Sequence, residues 1–284
     1  MLLKEEKVLV EVACCQFEPI VGQKDLNLAR SKELILEAVK KGAQLIVLPE
    51  LCNSGYVFNN REEAYALSET VPEGESVKEW ERLAREKQVY IVAGINERDG
   101  SNLYNSAVLI GPDGHIGTYR KVHLWDKEKL FFEPGNKGIS VFNTPIGRIG
   151  ILICYDVWFP EAHRLCSIQG AEIIAVPTNW VPMPEQNEND IPMAVYLCMA
   201  NAHSNGVFIA AANRIGEERG QPFLGHSVII GPNGRPMGDI APKNKEEIII
   251  QACDLTKAPH ARSLSQLNHV LNDRREDLYG SLII

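Results

Sequence analysis

The sequence repeats one plan twice, and this duplication limits the folds open to it. Three pairs of segments match in the same order: GAQLIVLPE (42–50) with GAEIIAVPT (170–178), QVYIVAGINER (88–98) with GVFIAAANRIG (206–216), and SAVLIGPDGHIG (106–117) with HSVIIGPNGRPMG (226–238). The period is far longer than the roughly 20–50 residues of solenoid repeats, so a stacked array is unsuitable. We predict two half-units, at about 7–121 and 147–240, within a single domain spanning 1–284. A polar tail follows from about 255–284.

Each half alternates strand-like and helix-like segments. Continuous apolar runs such as LIVL and IIAV are typical of strands buried on both faces, and strands that alternate with helices imply a largely parallel sheet. Helical spacing predicts helices at 26–41, from a Ser76–Glu79 capping box, from Pro160 and at 193–205. Packing the bare faces of the two sheets together gives the predicted fold class, an α/β four-layer αββα sandwich of two pseudo-symmetric halves.

Charge and cysteine usage narrow the class of protein. The net charge of −8 argues against a nucleic-acid partner. The apolar runs are far shorter than the ~20 residues of a transmembrane helix, and acids interrupt the N-terminus before any signal-like stretch. Seven cysteines, an odd number mostly within apolar runs, indicate reduced thiols and a cytoplasmic location. The sequence contains neither a CxxC nor an HExxH motif, so we expect no metal site.

Three strand-like runs end on reactive side chains. LIVLPE ends on Glu50, GTYRKVHL contains Lys121, and GILICYD contains Cys154. In open α/β sheets, ligands bind outside the carboxyl ends of strands. A carboxylate, an ammonium and a thiol there could carry out nucleophilic attack on a carbonyl or nitrile carbon.

Each residue also has a plainer interpretation. Cys154 could be a buried core thiol, Glu50 a surface acid after a strand, and Lys121 a solvated cation. The repeat provides a check, because the counterpart of Glu50 in the second half is Thr178. The scaffold therefore does not require a charge at that position, and three reactive groups that each occur once favour a site.

The motifs around these residues carry a family resemblance. LPELCNSGY surrounds Glu50, YRKVHL surrounds Lys121, and ICYDVWFPE surrounds Cys154. In this order and spacing, over about 7–278, the chain resembles the nitrilase superfamily, the carbon–nitrogen hydrolases with a Glu-Lys-Cys triad. The resemblance implies an αββα sandwich that assembles as a homodimer or larger homo-oligomer, and a reaction without a cofactor.

The resemblance also implies roles for individual residues. Cys154 attacks the substrate and forms a thioester, and Glu50 serves as general base and then as acid. Lys121 and the backbone N–H of Tyr155 stabilise the oxyanion. A second glutamate positions Lys121; the segment EKLFFEPG offers Glu128, which we prefer, and Glu133.

The substrate is a small molecule whose pocket we expect to be lined by loop residues. The predicted substrate-binding residues are Tyr56, Trp125, Trp158, Phe159, Asn179 and Trp180. CYD at the nucleophile resembles amidase-type branches, whereas true nitrilases usually have CWE. Arg is typical soon after Cys in carbamoyl-amino-acid hydrolases, but Val157 and Trp158 stand there. We predict an amidase; nitrile hydrolysis, N-carbamoyl hydrolysis and a non-catalytic partner-binding relative remain alternatives. The loop 179–190 either sets specificity or is a solvated loop.

Overall fold

The computed structural model describes residues 9–187 and 190–279. Its strands are β1 (Leu9–Gln16), β2 (Leu45–Val47), β3 (Tyr90–Asp99), β4 (Asn102–Gly111), β5 (Gly114–Arg120), β6 (Val141–Thr144), β7 (Gly147–Ile151), β8 (Ile173–Thr178), β9 (Phe208–Asn213), β10 (Glu217–Glu218), β11 (Gln221–Pro222), β12 (Val228–Ile230) and β13 (Glu247–Asp254). Its α-helices are α1 (Lys24–Lys40), α2 (Arg61–Ala66), α3 (Glu75–Lys87), α4 (Pro160–Ile168), α5 (Met193–Asn205), α6 (Lys257–Ala261) and α7 (Glu276–Tyr279). Two short 3-10 helices span Asp126–Leu130 and Cys154–Trp158.

Two sheets share one strand plan. The larger sheet has the order β13-β1-β2-β3-β4-β5, and the smaller has the order β12-β9-β8-β7-β6. In each, three parallel strands lie at the centre (β1, β2 and β3; β7, β8 and β9), and antiparallel strands flank them. This arrangement agrees with the predicted parallel core of each half.

The side chains of the central strands alternate between two cores. From β1, Val12 and Cys14 point into the core that the two sheets share, whereas Ala13 and Cys15 pack with residues of α1 and α3. Ala162 of α4 and residues of α5 cover the other face of the smaller sheet. Successive side chains of a strand point to opposite faces of the sheet, so each central strand is buried on both faces. The predicted αββα sandwich is confirmed.

Helix ends follow the sequence signals with one exception. Pro160 stands at the first position of α4, and Gly206 ends α5 in the left-handed conformation with φ 56°, both as predicted. The Ser76–Glu79 capping box is wrong. Helix α3 begins one residue earlier, after Gly74, and the carboxylate of Glu69 accepts hydrogen bonds from Ser76 N (2.8 Å) and Ser76 Oγ (2.7 Å). The buried carboxylate of Glu69, seven residues before Ser76, therefore takes the capping role that the local pattern suggested for Ser76.

Each sheet also includes a strand from outside the predicted half-units. Strand β13 pairs antiparallel with β1, and β6 pairs antiparallel with β7, so the two additions occupy equivalent edges. Strand β13 therefore ties the region after 240 to the first sheet. The division into half-units within one domain stays a prediction.

Candidate functional site

Three chain segments that leave the sheets bring together the carboxylate of Glu50, the ammonium of Lys121 and the thiol of Cys154. Glu50 follows β2, Lys121 follows β5, and Cys154 follows β7 at the start of a 3-10 turn. Lys121 Nζ lies 2.7 Å from Glu50 Oε1. The charges of Glu50 and Lys121 both act on the pKa of the Cys154 thiol, which places the three groups in one electrostatic neighbourhood.

Lys121 bridges two buried carboxylates. Its ammonium donates to Glu50 Oε1 at 2.7 Å and to Glu128 Oε1 at 2.8 Å, and all three residues are at most 4% exposed. Burial alone would lower the pKa of Lys121, but Glu128 and Glu50 raise it above its ordinary range, so the cation persists. Two acids therefore share one fixed positive charge out of contact with solvent.

The same burial makes Glu50 a weaker acid. Burial, opposed by Lys121 and reinforced by the charge of Glu128, raises the pKa of Glu50 to about 7. Asn105 Nδ2 donates to Glu50 Oε1 at 2.6 Å, whereas Glu50 Oε2 has no hydrogen-bond partner among the described residues. A carboxylate with this pKa and an unpaired oxygen is suited to move protons near neutral pH.

Cys154 occupies a strained elbow between β7 and α4. Its φ is 45°, a conformation uncommon for residues other than glycine. Asp156 fixes the turn: its Oδ2 accepts from Ile153 N (2.9 Å) and Tyr119 Oη (2.8 Å), and its Oδ1 lies 2.7 Å from His123 Nδ1. Strain of this kind at a strand-to-helix turn is typical of a nucleophile that the turn presents to a substrate.

The surroundings of Cys154 favour the thiol over the thiolate. Burial and, secondarily, the charge of Glu50 raise its pKa well above its ordinary value, and Lys121 only partly offsets them. Because the thiolate is the nucleophile, attack requires a base at the moment of reaction.

The structure distinguishes the two candidates for the second glutamate. Glu128 contacts Lys121 and also accepts from Tyr56 Oη at 2.7 Å. Glu133 is 46% exposed at its side chain, and its carboxylate lies 3.3 Å from Arg61. Only Glu128 is placed to hold Lys121.

Most of the predicted substrate-binding residues border two adjoining cavities. Cys154 borders the smaller cavity together with Trp125, Tyr155, Trp158, Asn179, Trp180, Val181 and Met183. The larger cavity, of about 250 Å³, is lined by Tyr56, Glu128, Phe131 and Arg219, among others. Trp125 and Val181 border both. Four members of the loop 179–190 (Asn179, Trp180, Val181 and Met183) therefore reach the site, while its residues 188–189 lie outside the described ranges.

Phe159 is not among the residues that line the two cavities, and it packs against Tyr155, which does line one. Its ring stacks on His123 at 3.6 Å between centroids and meets the edge of Tyr155 at 5.2 Å. It therefore supports Tyr155, and direct contact with a substrate stays a prediction. Within residues 9–187 and 190–279, no group of three or more His, Cys, Asp or Glu side chains could hold a metal ion.

Comparison with known proteins identifies the family. The family model described as "Carbon-nitrogen hydrolase" matches residues 11–262. The chain belongs to the carbon-nitrogen hydrolase family. It is 42% identical to a nitrilase of Pyrococcus abyssi over 271 residues, covering 95% of this chain and 99% of that one. It is 34% identical to an N-carbamoylputrescine amidase of Solanum lycopersicum over 300 residues, covering 99% and 97%. The solved structure of an amidase from Nesterenkonia sp. matches with a TM-score of 0.79 and 25% identity, covering 100% of this chain and 99% of that one.

Sequence reasoning missed a buried ion pair that supports the candidate site. Glu218 Oε2 accepts from the backbone N–H groups of Tyr56 (2.8 Å) and Val57 (2.5 Å), and Glu218 Oε1 accepts from Arg214 at 3.0 Å. Arg214 is 1% exposed and lies over the Phe223 ring. The pair therefore anchors the loop that presents Tyr56 to Glu128. The sequence signal for Glu218 was the segment GEERG (216–220), which also fits a surface turn, and Arg214 lies outside that segment.

We expect Tyr56→Phe to lower kcat/KM by roughly 10-fold or more, because a hydrogen bond to a charged group contributes about 1.5–3 kcal/mol. The variant removes only the hydroxyl that donates to Glu128. Steady-state hydrolysis of a carbon–nitrogen bond in a small substrate measures the effect. Tyr65→Phe is the matched control, since Tyr65 is 40% exposed and its hydroxyl makes one 3.4 Å contact with Gly100 O. Equal activity in both variants would contradict a role for Tyr56.

Among the helices in residues 9–187 and 190–279, none has the length and hydropathy of a membrane span.

The seven cysteines lie within these ranges, and each is a buried free thiol. Cys154 is 6% exposed and the other six are 0% exposed, and Cys154 is the one that borders the smaller of the two cavities described above.

Proposed function

We propose that this carbon-nitrogen hydrolase is an amidase that converts a small primary carboxamide to its carboxylic acid and ammonia. The observation that carries the proposal is the buried Lys121 held between Glu50 and Glu128, beside a cysteine on a strained elbow. Cys154, Glu50 and Lys121 are the proposed catalytic residues, and Glu128 holds Lys121 in place.

The proposed reaction proceeds in two halves. Glu50 takes the thiol proton as Cys154 attacks the carbonyl carbon, and Lys121 Nζ with the Tyr155 N–H stabilises the oxyanion. The carbon–nitrogen bond breaks as Glu50 returns the proton to the leaving ammonia. Water then attacks the thioester with Glu50 again as base, which releases the acid and restores the thiol.

Two related reactions use the same groups. A nitrile would give a thioimidate first, and a carbamoyl compound would release carbon dioxide together with ammonia. The named relatives include a nitrilase and an N-carbamoylputrescine amidase. We favour the carboxamide because Tyr155-Asp156 follows the cysteine. Val157 and Trp158 stand where an arginine would bind the carboxylate of a carbamoyl amino acid, which disfavours that subclass of carbamoyl substrates. A cytoplasmic homodimer or larger homo-oligomer is part of the proposal.

A substrate panel tests the proposal. The purified protein is incubated with the carboxamide, nitrile and carbamoyl derivatives of each of several small acyl chains, and ammonia and carbon dioxide are measured. We expect ammonia without carbon dioxide, fastest from carboxamides. Faster turnover of nitriles would indicate a nitrilase, and release of carbon dioxide would indicate an N-carbamoyl hydrolase. Absence of turnover together with equal labelling of all seven thiols would favour a non-catalytic binding protein.

We expect kcat/KM to rise with pH and to level off above about 7. Glu50 must be ionised to take the thiol proton, and its pKa is raised to about 7. Below that value, each pH unit should lower kcat/KM by about tenfold, because the ionised fraction falls in proportion. Circular dichroism at each pH controls for unfolding. A rate that stays level from pH 7 down to pH 5 would contradict Glu50 as the base.

A further inference from the structure

Asn179 carries an unused acceptor beside the nucleophile. It follows β8, is 2% exposed, and lines the cavity that contains Cys154. Its Nδ2 donates to the backbone carbonyl of Glu50 at 3.0 Å, whereas its Oδ1 is buried and has no hydrogen-bond partner within the described part of the chain. Buried polar atoms are nearly always paired, so an unpaired one at a cavity calls for a ligand.

The orientation of this amide is fixed from both sides. The Glu50 carbonyl requires a donor, so Nδ2 and not Oδ1 faces it. On the chain side, Thr178 pairs with Asn213 in the sheet, and Trp180 N donates to Asn213 Oδ1 at 2.9 Å. The backbone on both sides of Asn179 is therefore held, and Oδ1 has little freedom to turn away.

We propose that Asn179 Oδ1 accepts a hydrogen bond from the N–H of the scissile carboxamide and thereby selects amide substrates. This inference rests on the proposed function. A primary carboxamide offers an N–H donor on its leaving group throughout acylation. An ester offers only an oxygen lone pair at that position, and a nitrile nitrogen bears no hydrogen, so both would leave Oδ1 buried and unpaired.

A site that must hydrogen-bond its substrate discriminates strongly against an analogue that lacks the donor. Truncation of Asn179 should therefore remove a preference between leaving groups. The same truncation also removes the donor to the Glu50 carbonyl, and a displaced Glu50 could itself slow amides more than esters because it protonates the leaving ammonia. Asn179→Asp loses the same donor but keeps the acceptor, so the comparison of the two variants separates these effects.

The experiment compares a carboxamide with the methyl ester of the same acid, both of which pass through the same thioester. We expect Asn179→Leu to lower kcat/KM for the amide by about 10- to 100-fold and for the ester by less than about threefold. Asn179→Asp retains an acceptor at Oδ1 while losing the donor to Glu50, so its ratio of amide to ester activity should stay near that of the unmodified protein.

Equal losses for amide and ester in Asn179→Leu would overturn the inference, as would a lost amide preference in Asn179→Asp. If Asn179→Leu does not fold, Asn179→Ala provides the same comparison with a smaller side chain. The proposed function fails separately: in that case the unmodified protein hydrolyses neither compound. Turnover of the amide with a ratio unchanged in every variant would refute only the role of Asn179.

Discussion

Replacing Cys154 with alanine is expected to lower ammonia release by at least about 10⁴-fold, because the loss of a catalytic nucleophile removes the whole covalent route. Only the sulfur is lost, at a residue that is 6% exposed, so the protein should remain folded. Initial rates with the preferred carboxamide, measured with circular dichroism and thermal unfolding, test this prediction.

A matched cysteine variant separates chemistry from packing. Cys198 is a fully buried free thiol on α5, remote in sequence from the site motifs. Cys198→Ala removes the same atom from a buried position where burial alone, without a charged side chain, raises the pKa of the thiol, and we expect its kcat to stay within about twofold of that of the unmodified protein. Equal losses in the two variants, or turnover retained in Cys154→Ala, would contradict a nucleophilic role for Cys154.

Replacing Lys121 with methionine is expected to lower kcat by about 10²–10³-fold and to destabilise the protein by about 3–5 kcal/mol. The change leaves Glu50 and Glu128 buried without their shared cation. Like charges at such short range drive one or both carboxyls to take up a proton. Ammonia release gives the kinetic effect, and chemical denaturation gives the change in free energy of unfolding.

Two further variants make the interpretation specific. Lys245→Met removes an exposed lysine that lies 3.1 Å from Glu247, and it should change the free energy of unfolding by less than about 1 kcal/mol. Adding Glu128→Gln to Lys121→Met removes one of the two facing charges and should recover stability without recovering activity. A Lys121→Met protein as stable as the Lys245→Met control would contradict the buried ion cluster.

Periodicity and duplication were sufficient to predict the layers of the fold. The runs LIVL and IIAV, which contain β2 and the first part of β8, are apolar at every position, which signals burial on both faces, and the repeat indicates two equivalent sheets. The edge strands β6 and β13 were missed because their residues are only partly buried and half-polar. Their place depends on pairing with β7 and β1, which no local pattern encodes.

The candidate site also has a part that could be predicted from the sequence and a part that could not. Glu50, Lys121 and Cys154 could be predicted because each terminates or follows a recognisable strand and its reactivity is a property of one side chain. Choosing between Glu128 and Glu133 required the distance to Lys121, which depends on how the 3-10 turn Asp126–Leu130 folds back.

The supporting residues could not be predicted at all. Asn105, Asp156 and Glu218 act through hydrogen bonds to partners far along the chain or to backbone atoms. Their residue types are common in turns and strands for other reasons. Only the assembled fold shows which atoms each of them hydrogen-bonds. Their contribution therefore depends on tertiary packing.

The most direct test of the account is the mass of the peptide 149–164, measured after a reaction with excess carboxamide is quenched in acid within milliseconds. Cleavage after Arg148 and Arg164 isolates Cys154 as the only cysteine in that peptide. The account predicts an added acyl group on Cys154, present during turnover and absent from Cys154→Ala. Ammonia release with no acyl group on this peptide, or with the acyl group on another residue, would contradict it.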